Sequence, residues 1–171
     1  DQTINLSTLD GTNGFRLDGE AAYDYSGYSV SSAGDVNGDG YDDLIIGAPY
    51  AAINGSNSGS SYVVFGGAAD MGASVDLSTL DGTNGFRLDG EAAYAYSGYS
   101  VSSTDAVNGA GYADLIIGAP YAAINGSNSG SSYVVFVVAA DMAASADLST
   151  LDRTNGVRLH RLSAGSYTPL S

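Results

Sequence analysis

Short apolar runs separated by glycine-rich turns dominate the chain, and they favour β-strands over helices. Residues 27–33, GYSVSSA, alternate between polar and apolar positions, whereas 43–49, DLIIGAP, form an apolar run that Gly and Pro end. Residues 60–67, SSYVVFGG, are a second apolar run, and in 85–91, GFRLDGE, apolar and charged positions alternate again. Alternation with a period of two between turn residues is typical of strands. The pattern predicts four strands in this part of the chain.

One segment between these strands is harder to assign. Residues 76–85, DLSTLDGTNG, begin with a residue that caps helices. A helical turn could therefore start here, but the Gly and Asn content favours an irregular loop that crosses between strands. We expect the crossing loop.

The whole pattern recurs with a period of 71 residues. LSTLDGTNGFRLDGEAAY begins at Leu6 and again at Leu77, and an altered copy, LSTLDRTNGVRL, begins at Leu148. The stretch DLIIGAPYAAINGSNSGSSYVVF likewise begins at Asp43 and at Asp114. The chain therefore holds about two repeats, and an internal repeat decides the architecture before any single motif does.

Four strands per repeat favour blades of a β-propeller, with an open stacked array as the alternative. We expect residues 1–26 to supply a strand that completes a preceding blade together with a crossing loop. Residues 27–97 are then the first blade repeat, and 98–171 the second repeat with an altered tail. Closed propellers use about four to eight blades. The predicted fold is therefore all-β, with about two four-stranded blades that are part of a larger or multi-chain propeller.

A loop rich in carboxylates, DVNGDGYDD, precedes the second strand of the first repeat. Asp35, Asn37, Asp39 and Asp43 occupy loop positions 1, 3, 5 and 9, and the backbone carbonyl of Tyr41 falls at position 7. Oxygen ligands at alternate positions, with Gly for tight turning, suit Ca²⁺. The spacing begins like an EF-hand loop but lacks the Glu at position 12 and the flanking helices. These five residues are the predicted calcium ligands.

An Asx-rich turn without metal is the alternative for this loop, because Asn, Asp and Gly favour turns by themselves. Four carboxylates within nine residues repel one another, however, and a divalent ion removes that repulsion. We expect calcium to bind with an affinity on the order of 10⁻⁵ to 10⁻³ M, as in the weaker calcium modules.

The second copy of the loop, AVNGAGYAD, retains only part of this set. Asn108 and Asp114 remain, whereas Ala106 and Ala110 replace the first and third carboxylates, and Asp105 lies one residue too early. Two side chains and one carbonyl are too few for a cage of six or more oxygens. We expect the second loop to keep the fold without the ion.

These residues resemble the FG-GAP repeat of integrin α-subunit propellers and of bacterial surface proteins. The motif GAP stands at 47–49 and at 118–120, and Gly27 and Gly98 match the glycine of FG, although Ser replaces the preceding Phe. The resemblance covers nearly the whole chain and is most specific over residues 27–67. It implies a calcium-stabilised propeller used in adhesion and ligand recognition. It also implies calcium ligands in the first loop, at Asp35, Asn37, Asp39, Tyr41 and Asp43.

The composition excludes several classes of binding partner and of metal site. The chain has 19 acidic residues against five arginines and no lysine, for a net charge of −14, which disfavours nucleic acid and anionic membranes. It has no cysteine, so disulfides and thiolate metal sites are excluded. The longest apolar run, 133–140, is too short to cross a bilayer. The acidic balance favours a calcium-rich, extracellular or cell-surface setting.

No convincing catalytic set emerges. His160 is the only histidine and lies in the altered tail, where an exposed strand-end position is expected. The pairs Asp18 with Glu20 and Asp89 with Glu91 could suggest a paired-carboxylate hydrolase, but their recurrence in both repeats fits a structural turn better.

Clustered tyrosines allow a second interpretation. The segments YDYSGY at 23–28 and YAYSGY at 94–99 could form a surface that binds sugars or proteins, although packing between blades is the simpler role. The sequence thus favours a non-enzymatic, calcium-binding propeller segment that acts in adhesion, protein–protein interaction or assembly, as an oligomer or as part of a longer chain. A carbohydrate-binding propeller is the alternative.

Overall fold

A computed structural model describes residues 3–68, 71–137 and 143–160. In these residues the regular structure consists of β-strands and of three 3₁₀ turns of three residues each. None of these helical segments is long and apolar enough to span a membrane. The strands are β1 (Arg16–Asp18), β2 (Ser29–Gly34), β3 (Asp43–Ala48), β4 (Ser60–Val64), β5 (Ser74–Asp76), β6 (Gly85–Asp89), β7 (Ser100–Thr104), β8 (Asp114–Ala119), β9 (Ser131–Val135), β10 (Ser145–Asp147) and β11 (Gly156–His160).

Each repeat forms an antiparallel sheet of four strands. The first sheet has the order β6-β4-β3-β2 and the second the order β11-β9-β8-β7. The registers agree: Ile46 of β3 lies opposite Tyr62 of β4, and Ile117 of β8 lies opposite Tyr133 of β9. The four strands predicted for each repeat are therefore confirmed. The sheets do not close on themselves, so the fold is a partial propeller of two blades.

Short parallel strands join the blades, and the sequence pattern did not predict them. β5 pairs with β1, and β10 pairs with β6, so the first sheet gains a fifth strand from the second repeat. Each of these strands leads into a 3₁₀ turn; Asp76 caps the turn at Leu77–Thr79 by accepting a hydrogen bond from the Ser78 backbone N–H. The irregular crossing loop expected over residues 76–85 is therefore wrong at Leu77–Thr79, where the alternative, a capped helical turn, forms, and residues 80–84 are irregular as expected.

The main core lies between the two blades. Ile45, Val63 and Phe86 of the first blade pack in one buried cluster with Leu115 and Ile117 of the second. The opposite face of the first blade carries a smaller cluster around Tyr62, in which Leu77 of the crossing segment is buried. Since each sheet must cover two faces, a neighbour on each side is part of its stability.

Candidate metal centre

The acidic loop, residues 35–43, joins β2 to β3 and winds around the side chain of Asp35. The Asp35 carboxylate accepts hydrogen bonds from three backbone N–H groups: Gly38 at 2.6 Å and Asp39 at 3.1 Å on Oδ1, and Gly40 at 2.9 Å on Oδ2. Gly38 and Gly40 have φ of 79° and 89°, a left-handed conformation that glycine adopts without strain. The alternating glycines thus allow the loop to curl around its first carboxylate.

Asn37 and Asp39 continue the same winding on the exposed side of the loop. Asn37 Oδ1 accepts a hydrogen bond from the Asp39 N–H at 3.0 Å, and Asp39 Oδ1 accepts one from the Tyr41 N–H at 2.9 Å. The Asn37 amide also donates to Asp39 Oδ2 at 3.1 Å. These Asx turns place the polar side chains of alternate residues together in one short loop.

Asp43 closes the loop and is fully buried. Its Oδ2 accepts a hydrogen bond from the Val36 N–H at 2.8 Å, and its Oδ1 accepts one from the Gly66 N–H beyond β4, also at 2.8 Å. Burial raises the pKa of the Asp43 carboxyl; these two hydrogen bonds oppose the shift, and the charges of Asp39 and Asp35 add to it. Asp35 and Asp39 therefore lie close enough to Asp43 to disfavour its charged form.

The donor set fits calcium by its chemistry. An ionised carboxylate offers about four lone-pair sites. Asp39 and Asp43 each use two of them in the bonds above, and Asp35 uses three, so every side chain retains a free site for an ion. Among the described residues, the structure contains no group of three His, Cys, Asp or Glu side chains close enough together to hold a metal ion. The five predicted ligands share one loop, but their side-chain oxygens serve the backbone.

The second loop, residues 106–114, keeps the backbone bonds of its closing residues. Asp114 is buried and accepts hydrogen bonds from Val107 N–H at 2.7 Å and Val137 N–H at 3.0 Å, as Asp43 does in the first loop. Asn108 Oδ1 accepts one from the Ala110 N–H at 2.7 Å. Asp105 is exposed, as is Asn108. Asn108 and Asp114, the two residues retained from the first loop, therefore both bond the backbone of the second loop, and this role needs no metal.

A half-buried ion-pair network was not anticipated from the sequence. Arg87 Nη1 donates to both oxygens of Glu20, at 3.0 and 2.9 Å, and Tyr62 OH donates to Glu20 at 2.9 Å. Burial, with the Glu20 charge, raises the pKa of Tyr62. Arg158, Glu91 and Tyr133 repeat the arrangement in the second blade. The recurring LDGE motif was the available signal, and its structural interpretation holds for Glu20.

The tyrosines form a chain of rings across both repeats. Tyr28 and Tyr99 lie with ring centroids 4.8 Å apart and share a hydrogen bond of 2.9 Å between their hydroxyls. Tyr50 contacts Tyr96 at 5.2 Å, and Tyr96 contacts Tyr121 at the same distance. Several of these rings are exposed, so they bridge the blades at the surface and not inside a sheet. The tyrosine cluster comprises Tyr25, Tyr28, Tyr50, Tyr96, Tyr99 and Tyr121.

His160 is the last residue of β11 and is exposed, as expected. Asp18 pairs with Arg16, with Oδ1 lying 2.6 Å from Nε, and Asp89 pairs with Arg87 at 2.7 Å between the same atoms. The carboxylates considered for hydrolysis thus serve ion pairs of the sheet edges.

Comparison with known proteins agrees with this architecture. The FG-GAP repeat family matches residues 26–64. Integrin alpha pat-2 of Caenorhabditis elegans is 32% identical over 118 residues, which is 68% of this chain and 9% of that protein. Integrin alpha-V of Gallus gallus is 37% identical over 118 residues, covering 63% of this chain and 9% of its own length.

A third relative has a different name. The phosphatidylinositol-glycan-specific phospholipase D of Dictyostelium discoideum is 36% identical over 123 residues, 64% of this chain and 12% of that protein. The chain spans about a tenth of the length of the curated relatives it matches. Residues 26–64 are thus an FG-GAP repeat, and the chain is a set of β-propeller blades similar to those of integrin α subunits.

Proposed function

We propose that residues 35–43 bind calcium and that the chain is a calcium-stabilised, non-enzymatic propeller segment of an extracellular or cell-surface protein. One observation carries this proposal. The ion pairs of the described residues involve Asp18, Glu20, Asp89 and Glu91, and none involves a carboxylate of the acidic loop. Three mutually repelling carboxylates without a cationic partner call for a cation.

The ligands of this ion would be the side-chain oxygens of Asp35, Asn37, Asp39 and Asp43 and the backbone carbonyl of Tyr41. Together they provide the hard oxygen donors that Ca²⁺ requires, and water completes the coordination. The ion supplies positive charge, and the protein supplies a loop that is already wound by Asx turns. Binding therefore needs small side-chain rotations and little refolding of the backbone.

The position of the loop explains how an ion would stabilise the fold. The loop packs against the second blade: the Ala113 N–H donates to the Asp35 carbonyl at 3.2 Å, and a Cβ on Gly38 would meet the Tyr112 ring at 2.6 Å. Neutralising the carboxylates at this contact strengthens the hairpin of the first blade and its junction with the second. The ion is therefore expected to act on stability, not on chemistry.

Adhesion or protein–protein interaction is the activity that the relatives support, since two of those described are integrin α subunits. The net charge of −14 suits a calcium-rich exterior. The phospholipase is an enzyme by name, but the matched stretch is 12% of that protein, and two of the carboxylates considered for hydrolysis, Glu20 and Asp89, are bonded to Arg87. A non-enzymatic role in binding or assembly follows as the proposal.

Thermal unfolding in calcium and in chelator tests the metal site. We expect calcium to raise the melting temperature of the wild type and to leave Asp39→Ala unchanged. Asp42→Ala is the matched control, because it removes the same charge from the same loop without removing a proposed ligand. A calcium response that persists in Asp39→Ala, or disappears in Asp42→Ala, contradicts the ligand set.

A carbohydrate-binding propeller is the second candidate, and the exposed tyrosine cluster favours it. Tyr50, Tyr94, Tyr96, Tyr99 and Tyr121 line a cavity of about 370 Å³ together with Asn128. Aromatic rings beside an amide can stack on and hydrogen-bond a sugar ring. Binding to a glycan array that Tyr121→Ala abolishes would support this function; an array without signal, beside retained protein binding, would exclude it.

A further inference from the structure

We propose that Tyr28 and Tyr99 are a site of oxidative cross-linking, at which a dityrosine bond joins the two blades covalently. The oxidant is hydrogen peroxide, used by an enzyme of the haem peroxidase class. The inference goes beyond the calcium-stabilised segment proposed above and does not depend on the ion. It rests on the contact between these two phenols, on the tyrosine cluster around them and on the composition of the chain.

The two phenols meet at their hydroxyl ends. Tyr28 OH donates a hydrogen bond to Tyr99 OH at 2.9 Å, and the ring centroids are 4.8 Å apart. A dityrosine bond joins the ring carbons ortho to the two hydroxyls, next to the carbons that bear the oxygens. Hydroxyls in hydrogen-bond contact therefore bring the carbons that couple close together. Coupling becomes an intramolecular step between positioned groups, which proximity strongly favours.

Equivalent turns of the two repeats position the pair. Tyr28 and Tyr99 lie 71 residues apart, directly before β2 and β7. The Tyr28 N–H donates to the Tyr25 carbonyl at 3.1 Å. In the second repeat the Tyr99 N–H donates to the Tyr96 carbonyl at 3.2 Å. The backbone of both repeats thus presents the two rings to each other.

A second contact fixes the blades beside this pair. Ser29 Oγ, next to Tyr28, donates to the Gly98 carbonyl at 2.8 Å. Gly98 has a φ of 83°, and a Cβ at this position would lie 2.5 Å from the Ser60 carbonyl oxygen. Glycine alone allows so close an approach of two backbones. The turn before Tyr99 is therefore held against the first blade, and the two rings stay together while the blades stay packed.

The tyrosine cluster connects the pair with solvent. Tyr25, Tyr28 and Tyr121 are exposed, so an external oxidant reaches them. The rings of Tyr25 and Tyr50 lie 5.0 Å apart between centroids, and those of Tyr50 and Tyr28 lie 6.3 Å apart. On the other side, Tyr121 lies 6.4 Å from Tyr99. Because electrons pass readily between rings at such distances, a radical formed elsewhere in the cluster reaches the pair.

The composition directs oxidation to tyrosine. The chain has 13 tyrosines, no cysteine and no tryptophan. Thiols and indoles are the side chains that compete most strongly with phenols for one-electron oxidation. The two methionines are the only sulfur atoms of the chain, and their usual oxidation product is a sulfoxide. One-electron oxidation is therefore expected to end on the tyrosines.

The reaction balances with one molecule of peroxide. Each phenol loses its hydroxyl proton and one electron, and a carbon–carbon bond forms between the two ortho positions. The hydrogen atom on each coupled carbon then moves to the neighbouring oxygen, which restores both phenols. Hydrogen peroxide takes up the two electrons and two protons and leaves as two water molecules. The chain loses two hydrogen atoms and gains one bond.

Tyr50 and Tyr96 show why ring contact alone is not sufficient. Their centroids are 5.2 Å apart, but the rings meet edge to face at 87°. The Tyr96 hydroxyl accepts a hydrogen bond from the Asn57 amide at 3.1 Å. Among the described residues, Tyr28 and Tyr99 are the only tyrosines whose hydroxyls bond to each other. We therefore expect coupling at this pair.

The bond should stabilise the junction of the blades. It links residues 71 positions apart, and a cross-link between distant residues stabilises a fold mainly by constraining the unfolded chain. The melting temperature of the cross-linked chain should therefore rise in chelator as well as in calcium.

The test is oxidation of dilute protein by a haem peroxidase with limiting hydrogen peroxide, carried out in chelator. We expect dityrosine fluorescence and a single-chain product that is lighter by two hydrogen atoms. Proteolysis and tandem mass spectrometry should find residues 28 and 99 joined. A product without this link, or one in which tyrosines are joined only between chains, overturns the proposal.

Phenylalanine variants separate pairing from exposure. Tyr28→Phe and Tyr99→Phe keep the ring and remove the hydroxyl, and each should lower the yield of the intrachain link by at least about tenfold, because the positioned partner is lost. Tyr23→Phe is the matched control, since Tyr23 is 84% exposed and lies outside the tyrosine cluster. Its yield should equal that of the wild type. A yield in Tyr28→Phe equal to that of the wild type, or an equally large loss in Tyr23→Phe, would contradict the proposal.

The unfolded wild type gives an independent readout that requires no variant to fold. The same oxidation in denaturant should yield mixed tyrosine links without preference for residues 28 and 99. An unchanged yield of this one link in the unfolded chain would show that the folded contact does not direct the reaction, and would overturn the proposal.

Discussion

The loop between β2 and β3, residues 35–43, and the loop between β7 and β8, residues 106–114, fold alike. Only the first has the full set of proposed oxygen ligands. Both retain the asparagine whose Oδ1 accepts a backbone N–H two residues on, at 3.0 Å from Asp39 and 2.7 Å from Ala110. Both retain the closing aspartate that ties the loop to the end of the third strand. The retained residues are those that the backbone needs.

The residues lost from the second loop are Asp35 and Asp39, whose side chains bond the backbone within the first loop only. Ala106 replaces Asp35, and the N–H of Gly109 then donates to the Ala106 carbonyl at 3.2 Å, so a backbone turn substitutes for the side-chain turn. Ala110 replaces Asp39, whose side chain is exposed. The difference teaches that the loop conformation does not require these two carboxylates, whereas the proposed calcium site does.

Removing the closing aspartates should have the largest effect, and it should be similar in both loops. Asp43→Ala and Asp114→Ala each leave buried backbone N–H groups unpaired, which is expected to lower the free energy of unfolding by about 2 to 4 kcal/mol in chelator. Chemical denaturation in chelator measures this. A neutral effect of Asp114→Ala would break the comparison, because the shared hydrogen bonds would then not maintain the loop.

Asp35→Ala should reduce stability more in calcium than in chelator. Calcium at about 5 mM is expected to stabilise the wild type by about 1 to 4 kcal/mol, given an affinity of about 10⁻⁵ to 10⁻³ M. The variant should lose this increment, while its stability in chelator falls less, since Ala106 shows how the backbone closes the turn. Denaturation curves with calcium and in chelator measure the calcium increment and the stability of the metal-free protein. An increment of wild-type size in the variant would contradict the role of Asp35.

A gain of function sharpens the comparison from the other side. Ala106→Asp with Ala110→Asp gives the second loop every ligand type of the first, because Asn108, Asp114 and the Tyr112 carbonyl are already there. We expect calorimetric titration to detect a second calcium per chain. Ala110→Asp alone is the control and should leave the stoichiometry unchanged. Failure of the double variant to bind would mean that loop position, and not ligand content, distinguishes the copies.

Asp42→Ala should have the smallest effect. Asp42 is exposed, and its equivalent Ala113 is tolerated in the second loop. Surface changes of this kind typically alter stability by no more than about 0.5 kcal/mol. The calcium increment should remain, and the same denaturation curves test this. A loss of the increment would move Asp42 into the ligand set.

Much of this architecture could be predicted from the sequence, because the strands are short apolar runs bounded by Gly and Pro. β3 and its equivalent β8 begin at the Asp that opens the apolar run and end at the Ala directly before its Pro. The parallel strands could not be predicted: Ser74–Asp76 is three residues long, and its pairing depends on β1, which is far along the chain. The tyrosines at 25 and 96 also escaped the pattern, because their φ values of 52° and 55° place them in turns.

In the candidate site, too, the local features could be predicted from the sequence and the long-range contacts could not. The spacing of Asp35, Asn37, Asp39 and Asp43 identified the loop, since ligand chemistry depends on residue type and local turn geometry. The hydrogen bonds from Gly66 to Asp43 and from Val137 to Asp114 could not be predicted, because each joins residues that are 23 positions apart. Long-range backbone bonds of this kind depend on sheet register, which a local pattern does not specify.

The most direct measurement is the number of calcium ions per chain, counted by native mass spectrometry of the wild type and of Asp39→Ala. Of the two loops, only the first holds all of the proposed ligands, so the wild type should carry one ion and the variant none. A wild type without calcium, or with two ions per chain, would contradict the account of the two loops.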